Sequence, residues 1–310
     1  MRIVRVYAWM MARLNVYIPD EVKVLAEKWR GQINLSQVCV ESLRRELEAL
    51  EFHRRLGSVL SPLKQRNPVE ARLMRSYGLT EAYVIEDASA EMDTREALGE
   101  FGAKYLNHYI ADDSRLAVAG GRQVWCAVKN LTARQSGVSI TATGIGQSDP
   151  RILHAHPNTI ATILWLLYSP KATAQIITEG SQIIWPVDPE ISKHPRYFLF
   201  GSCARFSPDG SLAQIAGPQS TNELLKRRVF GDYFYNFFDR KGNILPVPKS
   251  DRQMIFPAST LQSLSKRPDA RLVLIAGGRE KKEVIQLVLK NRMCNVLITD
   301  SKTGEWLNGR

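Results

Sequence analysis

LAVAGGRQVWCAVKNL, residues 116–131, decides how the rest of the chain is read. An apolar run (Leu116, Ala117, Val118, Ala119) meets two glycines, Gly120 and Gly121. A helical pattern starts at once, with Val124, Val128 and Leu131 at i, i+4 and i+7. The spacing predicts a strand, a tight turn and a helix. Glycine lets the backbone come close to a ligand, and the helix N-terminus behind it offers N–H groups and partial positive charge to an anion. A plain structural turn has the same glycines, so the rest of the chain has to decide between the two.

Outward from that stretch, helix and strand patterns alternate from Asn67 onward. Val69–Tyr77 reads as helix, Ala82–Ile85 as strand and Thr94–Ile110 as an amphipathic helix. After the central strand, turn and helix come a strand at Val138–Thr143, running into Gly144 and Gly146, and a helix at Pro157–Leu167. Tyr197–Phe200, Leu212–Ile215, Arg271–Ala276 and Val296–Thr299 read as strands, and Glu223–Arg228 and Glu280–Asn291 as helices. Such alternation predicts an α/β domain whose Rossmann-like parallel sheet carries helices on both faces and ligand sites at the carboxyl ends of strands.

Toward the N-terminus the pattern changes. Residues 1–10 show little periodicity. Arg13, Asn15 and Tyr17 alternate with Leu14, Val16 and Ile18, a strand with one polar and one apolar face. Pro19 and Asp20 end it and open a helix with Val22, Leu25, Ala26 and Trp29 at helical spacing. Gly31 stops that helix. Asn34 caps a second one, Gln37 answering three residues on, with Leu35, Val38, Cys39, Leu43, Leu47 and Leu50 as its apolar stripe. One short strand and two helices bury little, so the economical partner is the same strand of a second chain, giving a homodimer, or tetramers built from such dimers. The ribbon would offer Arg13, Asn15 and Tyr17 to the major groove of double-stranded DNA, where Arg pairs with guanine and Asn with adenine. Glu51–Asn67, charged and broken by Gly57 and Pro62, reads as the boundary, so residues 1–50 form one unit, 51–66 a linker and 67–310 the large domain.

Composition points the same way. The 310 residues carry a net charge of +11, which suits an acidic partner, nucleic acid or a phosphorylated small molecule. Residues 1–66 hold 12 basic against 7 acidic side chains, the more basic part per residue. The four cysteines, Cys39, Cys126, Cys203 and Cys294, have no disulfide or zinc spacing, which predicts reduced thiols in a cytoplasmic protein. The longest apolar run, Ile160–Tyr168, is interrupted by Thr162 and falls far short of the roughly 20 residues of a membrane span. Nor does the N-terminus read as a secretory signal.

Across residues 12–50, RLNVYIPDEVKVLAEKWRGQINLSQVCVESLRRELEAL resembles the ribbon-helix-helix DNA-binding family. The resemblance implies base readout by Arg13, Asn15 and Tyr17 and phosphate contact at Asn34, Leu35 and Ser36. Across about 67–308 the chain resembles the effector domain of SorC-type transcriptional regulators. The carrying stretches are EARLMRSYGLTEAYVI (70–85), VAGGRQVWCAVKNL (118–131), VFGDYFYNFFDRKG (229–242), IAGGREKKEV (275–284) and NVLITD (295–300). That likeness implies a fold related to sugar-phosphate isomerases and a phosphorylated sugar as effector. Gly120, Gly121, Arg122 and Gln123 would form a phosphate loop, Asp232 would meet a sugar hydroxyl, and Gly277, Gly278 and Lys281 would complete the anion site. Two positions depart from the family: Ala119 replaces its first loop glycine, and Gln123 stands where it usually has Thr. Its N-terminal module is also normally helix-turn-helix.

Other residues are weighed and set aside. His154 and His156 beside Pro157 lack metal partners and suit a helix entry. Asp149 and Asp300 are candidate bases without a nucleophile, and Phe230, Tyr233, Phe234, Tyr235, Phe237 and Phe238 read as core and subunit contact. The expectation is a transcriptional regulator, not an enzyme, without cofactor or metal. Its rivals are a DNA-binding assembly protein whose large domain only oligomerises, and an enzyme acting on a sugar phosphate or nucleoside.

Overall fold

The computed structural model describes residues 4–7, 13–16, 24, 27–28, 67–86, 91–144, 150–177, 185, 187–192, 194–208, 210, 221–246 and 256–309. The chain divides into two compact units, Met1–Pro62 and Leu63–Arg310.

In the first unit, β1 (Val4–Tyr7) pairs antiparallel with β2 (Arg13–Val16) of the same chain. This corrects one expectation. The first ten residues are not patternless, because Val4 and Val6 alternate with Arg5 and Tyr7; two repeats are too few to stand out from sequence. Within the chain the ladder partner of β2 is β1. Val24, Glu27 and Lys28 are helical. Tyr17, Asn34, Leu35, Ser36 and the second expected helix lie outside the described residues.

The second unit is built on a seven-stranded sheet whose paired strands all run parallel. Its members are β3 (Glu81–Ile85), β4 (Arg115–Val118), β5 (Ser139–Ala142), β6 (Thr173–Gln175), β7 (Tyr197–Gly201), β12 (Ala270–Ile275) and β13 (Val296–Asp300). Central strands of a covered parallel sheet are apolar on both faces, and every residue of β7 and β13 is buried. Helices cross between them: α1 (Pro68–Tyr77), α2 (Glu91–Tyr109), α3 (Arg122–Val128), α4 (Pro157–Tyr168), α5 (Ala258–Leu264), α6 (Lys282–Lys290) and α7 (Ser301–Asn308). Their ends follow local chemistry. Asn67 Oδ1 accepts the Val69 N–H at 3.0 Å with Pro68 at the first helical position, and Gly78 closes α1 in the left-handed conformation. His156 opens α4, its Nδ1 accepting the Asn158 N–H at 3.2 Å.

The strand order β3-β13-β12-β7-β4-β5-β6 places the site. From β4 the chain steps outward through β5 to β6, then returns to β7 on the other side of β4 and steps away through β12 to β13. Neighbours β4 and β7 thus send their connections in opposite directions. Such a switch point leaves a crevice beyond the carboxyl ends of the strands.

A four-stranded antiparallel sheet was not expected from the sequence: β8 (Cys203–Arg205), β9 (Gly231–Tyr233), β10 (Asn236–Phe238) and β11 (Ile244–Leu245), in the order β11-β10-β9-β8. Strands of two or three residues are too short to show a period. Helices α5 and α7 were missed as well. The expected strand at Leu212–Ile215 lies outside the described residues. Among the described residues no helix is long and apolar enough to cross a membrane.

Candidate functional site

The crevice at the switch point holds a cavity of about 360 Å³. All eight effector-site residues expected from the sequence line it: Gly120, Gly121, Arg122 and Gln123 after β4, Asp232 on β9, and Gly277, Gly278 and Lys281 after β12. Elements far apart in sequence therefore bring both glycine turns to one place.

Each turn has a backbone reason for its glycine. Gly121, φ +118°, is the residue before α3, and Gly278, φ +93°, lies between β12 and α6. Both angles are ones that L-residues rarely adopt. Gly277 is needed for space, because a Cβ there would stand 2.2 Å from Asp300 Oδ2. Asp300, fully inside, is a framework residue and not a base. Its Oδ2 accepts the Gly278 N–H at 2.7 Å and the Thr303 hydroxyl at 2.7 Å, while Oδ1 accepts the Thr303 N–H at 2.9 Å. One carboxylate thus caps α7 and holds the second glycine turn.

The first turn is fastened differently. The Gly121 N–H donates to the Ala155 carbonyl at 2.8 Å, and the buried Gln123 side chain donates through Nε2 to the Arg95 carbonyl at 3.0 Å. Gln123 therefore braces the loop against α2 with its side chain. What α3 presents to the crevice is its first turn, whose N–H groups lack intrahelical partners.

The charges around the crevice are mostly positive. Arg95, Arg122, Arg205 and Lys281 line it, against Asp232 and Glu280. Burial holds the Lys281 amine below its ordinary value, and the like charges of Arg95 and Arg122 act in the same direction, while Cys203 and Asp232 oppose them. Burial lifts the Asp232 carboxyl to about 7, offset in part by the Tyr235 N–H and by Lys281. The crevice thus sets a cluster of cations beside one carboxyl group able to donate or accept a hydrogen bond near neutral pH.

Sequence reasoning missed one part of the cavity wall. Phe234 (φ 48°) and Tyr235 (φ 58°) form the two-residue turn between β9 and β10, and both line the cavity. Two positive φ values in a two-residue hairpin fit the type I′ turn, which ordinarily takes Asn and Gly. The Asn236 side chain ties this turn to the Phe256 carbonyl at 3.0 Å. Gly201 leaves the space into which the Phe234 ring fits, and Gly144 the space for the Tyr235 ring. Of the other expected core aromatics, Tyr233, Phe237 and Phe238 are buried, while Phe230 is half-buried at the edge of the core.

The fold and the crevice define a ligand-binding domain, and the chain belongs to the family described as "Putative sugar-binding domain", which matches residues 61–164 and 210–307. This is the sugar-binding domain of SorC/DeoR-type transcriptional regulators. The chain is 25% identical over 296 residues to the deoxyribonucleoside regulator of Bacillus subtilis (strain 168), covering 89% of this chain and 90% of that one. It is 26% identical over 263 residues to the sorbitol operon regulator of Klebsiella pneumoniae, covering 77% and 79%. In structure it resembles the full-length sorbitol operon regulator SorC of Klebsiella pneumoniae, with a TM-score of 0.60 at 19% identity over 93% of this chain and 97% of that one.

Proposed function

We propose that this chain is a sequence-specific DNA-binding transcriptional regulator whose large domain, residues 67–310, takes a phosphorylated sugar or a related metabolite. The observation that carries the reading is the crevice itself, where two glycine turns and Lys281 face Asp232 at the switch point of the sheet. Phosphate calls for backbone N–H groups and cations, and a sugar hydroxyl calls for a carboxylate acceptor. Arg122 and Lys281 would meet the phosphate with the two turns, and Asp232 a hydroxyl.

The N-terminal unit, residues 1–50, would hold the DNA. Arg13 and Asn15 alternate on one face of β2, and in the ribbon-helix-helix reading Tyr17 continues that face while Asn34, Leu35 and Ser36 bind phosphate. A linker over 51–66 would let the two units change their arrangement. The opposite edge of β2 has no ladder partner among the described residues and would accept a second copy, giving a cytoplasmic homodimer or a tetramer of paired dimers. The ligand shifts DNA affinity only by binding one arrangement of the units better than the other.

Selection of sequences from a random duplex pool, with wild type and with Arg13→Ala/Asn15→Ala, tests the DNA half. A motif enriched by wild type and lost in the variant is the expected result. No enrichment by folded wild-type protein would rule out a sequence-specific reader.

A further inference from the structure

From the course of β8 along the crevice, we infer that Arg205 is a specificity-determining residue at its mouth, and that the ligand is a phosphorylated sugar bearing a second acidic group, a further phosphate or a carboxylate. The inference deepens the proposal above that the crevice takes a phosphorylated sugar, and it rests on that proposal.

The order of groups along the crevice carries it. β8 ends the four-stranded sheet, and Ser202, Cys203, Ala204 and Arg205 all line the cavity, so the crevice follows this strand. Cys203, at the inner end, lies close enough to Lys281 to influence its charge. Ala204 comes next, opposite Asp232, and Arg205 follows, opposite Gly231 and exposed. At about 3.3 Å per residue, Arg205 stands about 7 Å beyond Cys203. From the inside outward the crevice thus offers cations for a phosphate, a carboxyl group for a sugar hydroxyl, and a guanidinium.

That guanidinium is surplus to a single phosphate. A phosphate monoester carries a charge of about −1.5 to −2 at pH 7, which Arg122, Lys281 and the neighbouring Arg95 already balance, even against Glu280. Arg205 is also held ready for a ligand: its Cζ lies 5.3 Å from the centre of the Phe230 ring, and Gly231 places no side chain opposite it. Among the described residues no carboxylate pairs with it. A planar fork in that position suits the paired oxygens of a phosphate or carboxylate better than a neutral hydroxyl.

The test is titration calorimetry of the full-length protein with pentose and hexose monophosphates, each set beside its bisphosphate and its phosphorylated aldonate, for wild type, Arg205→Ala, Arg205→Lys and Arg240→Ala, with thermal melts to establish folding. Arg240 also lies over the Phe230 ring, at 5.8 Å, but does not line the cavity, so it controls for packing alone. Wild type should bind a doubly acidic member about 5- to 50-fold more tightly than its monophosphate, less than a buried charged pair would give because Arg205 stands in solvent. Arg205→Ala should lose that preference, its monophosphate affinity falling far less. Arg205→Lys, which keeps the charge without the fork, should retain part of the preference, and Arg240→Ala all of it. Preference for the bisphosphate alone identifies the second group as a phosphate, and for the aldonate alone as a carboxylate. The inference is overturned, and the proposal stands, if a monophosphate binds and is weakened by Lys281→Ala while no doubly acidic member binds better. It is overturned equally if Arg205→Ala weakens both forms alike, or if Arg240→Ala loses the preference as well. If folded wild type binds no member of the panel, the inference falls together with the proposal it rests on.

Discussion

Asp300 Oδ2 accepts the Gly278 N–H at 2.7 Å, so the end of the last strand of the sheet fixes the second glycine turn of the cavity. The same side chain caps α7 through the Thr303 N–H. Asp300→Ala removes the cap, takes the acceptor from both Thr303 donors and leaves the Gly278 N–H with only the Thr303 hydroxyl at 3.2 Å, at an expected cost of about 2–4 kcal/mol for a lost cap plus an unsatisfied buried donor. Chemical denaturation should register that loss, and ligand affinity should fall with it.

Gly277→Ala places a methyl group 2.2 Å from Asp300 Oδ2, closer than real contacts come. Either the turn or the carboxylate has to shift. The expected outcome is a loss of phosphorylated-ligand affinity of about tenfold or more, since the turn must hold its N–H groups in place to bind an anion. Titration calorimetry on the folded variant checks it.

Lys281→Ala and Arg122→Ala remove cations from the crevice. A charge-assisted hydrogen bond is worth about 1.5–3 kcal/mol, so each variant should lose roughly 10- to 150-fold affinity for a phosphorylated ligand. An unphosphorylated analogue should lose much less. Equal losses for both ligands would place these residues away from the phosphate.

Asp232 gives the domain a pH dependence of definite sign. Burial lifts its pKa to about 7 in the folded chain, above the roughly 3.9 of an unfolded aspartate. The native state therefore holds this proton more tightly, and Asp232 lowers stability progressively as pH climbs from about 4 to about 7. Asp232→Asn lifts that penalty, so its gain in melting temperature should be larger at pH 8 than at pH 5. A sugar hydroxyl donating to the carboxylate favours the ionised form. Ligand binding should therefore release a proton and tighten as pH rises through 7, which calorimetry in buffers of different ionisation enthalpy can read.

The turn at Phe234 and Tyr235 holds two aromatic residues at positive φ beside the cavity. Phe234→Asn together with Tyr235→Gly supplies residues suited to that turn and takes both rings out of the wall. Hairpin geometry should survive while discrimination among phosphorylated sugars falls, measured as a narrower spread of affinities across a panel.

Much of this was legible in the sequence, for physical reasons that differ by element. Strands such as β7 and β12 are buried runs of apolar residues, and the turns after β4 and β12 announce themselves by paired glycines. The resemblance to the SorC-type effector domain, rather than those cues, implied that Gly120, Gly121, Gly277 and Gly278 meet at one site. The hairpin of β9 and β10 was hidden because its strands have three residues each and its turn lacks Asn and Gly. Asp300 was weighed as a base, since sequence shows a carboxylate but not the two N–H groups and the hydroxyl that occupy it. Gln123 was placed at the phosphate, whereas its amide group braces the loop against α2. Strand β1 escaped because the alternation of Val4, Arg5, Val6 and Tyr7 becomes meaningful only opposite Arg13–Val16.

Calorimetric titration of the full-length protein with phosphorylated sugars and their unphosphorylated parents, repeated with Lys281→Ala, tests the account most directly. Saturable heat from at least one phosphorylated member, absent with its parent and weakened tenfold or more in the variant, is the predicted result. Folded protein that gives no heat with any member of a broad panel, or binds one equally well without Lys281, contradicts it.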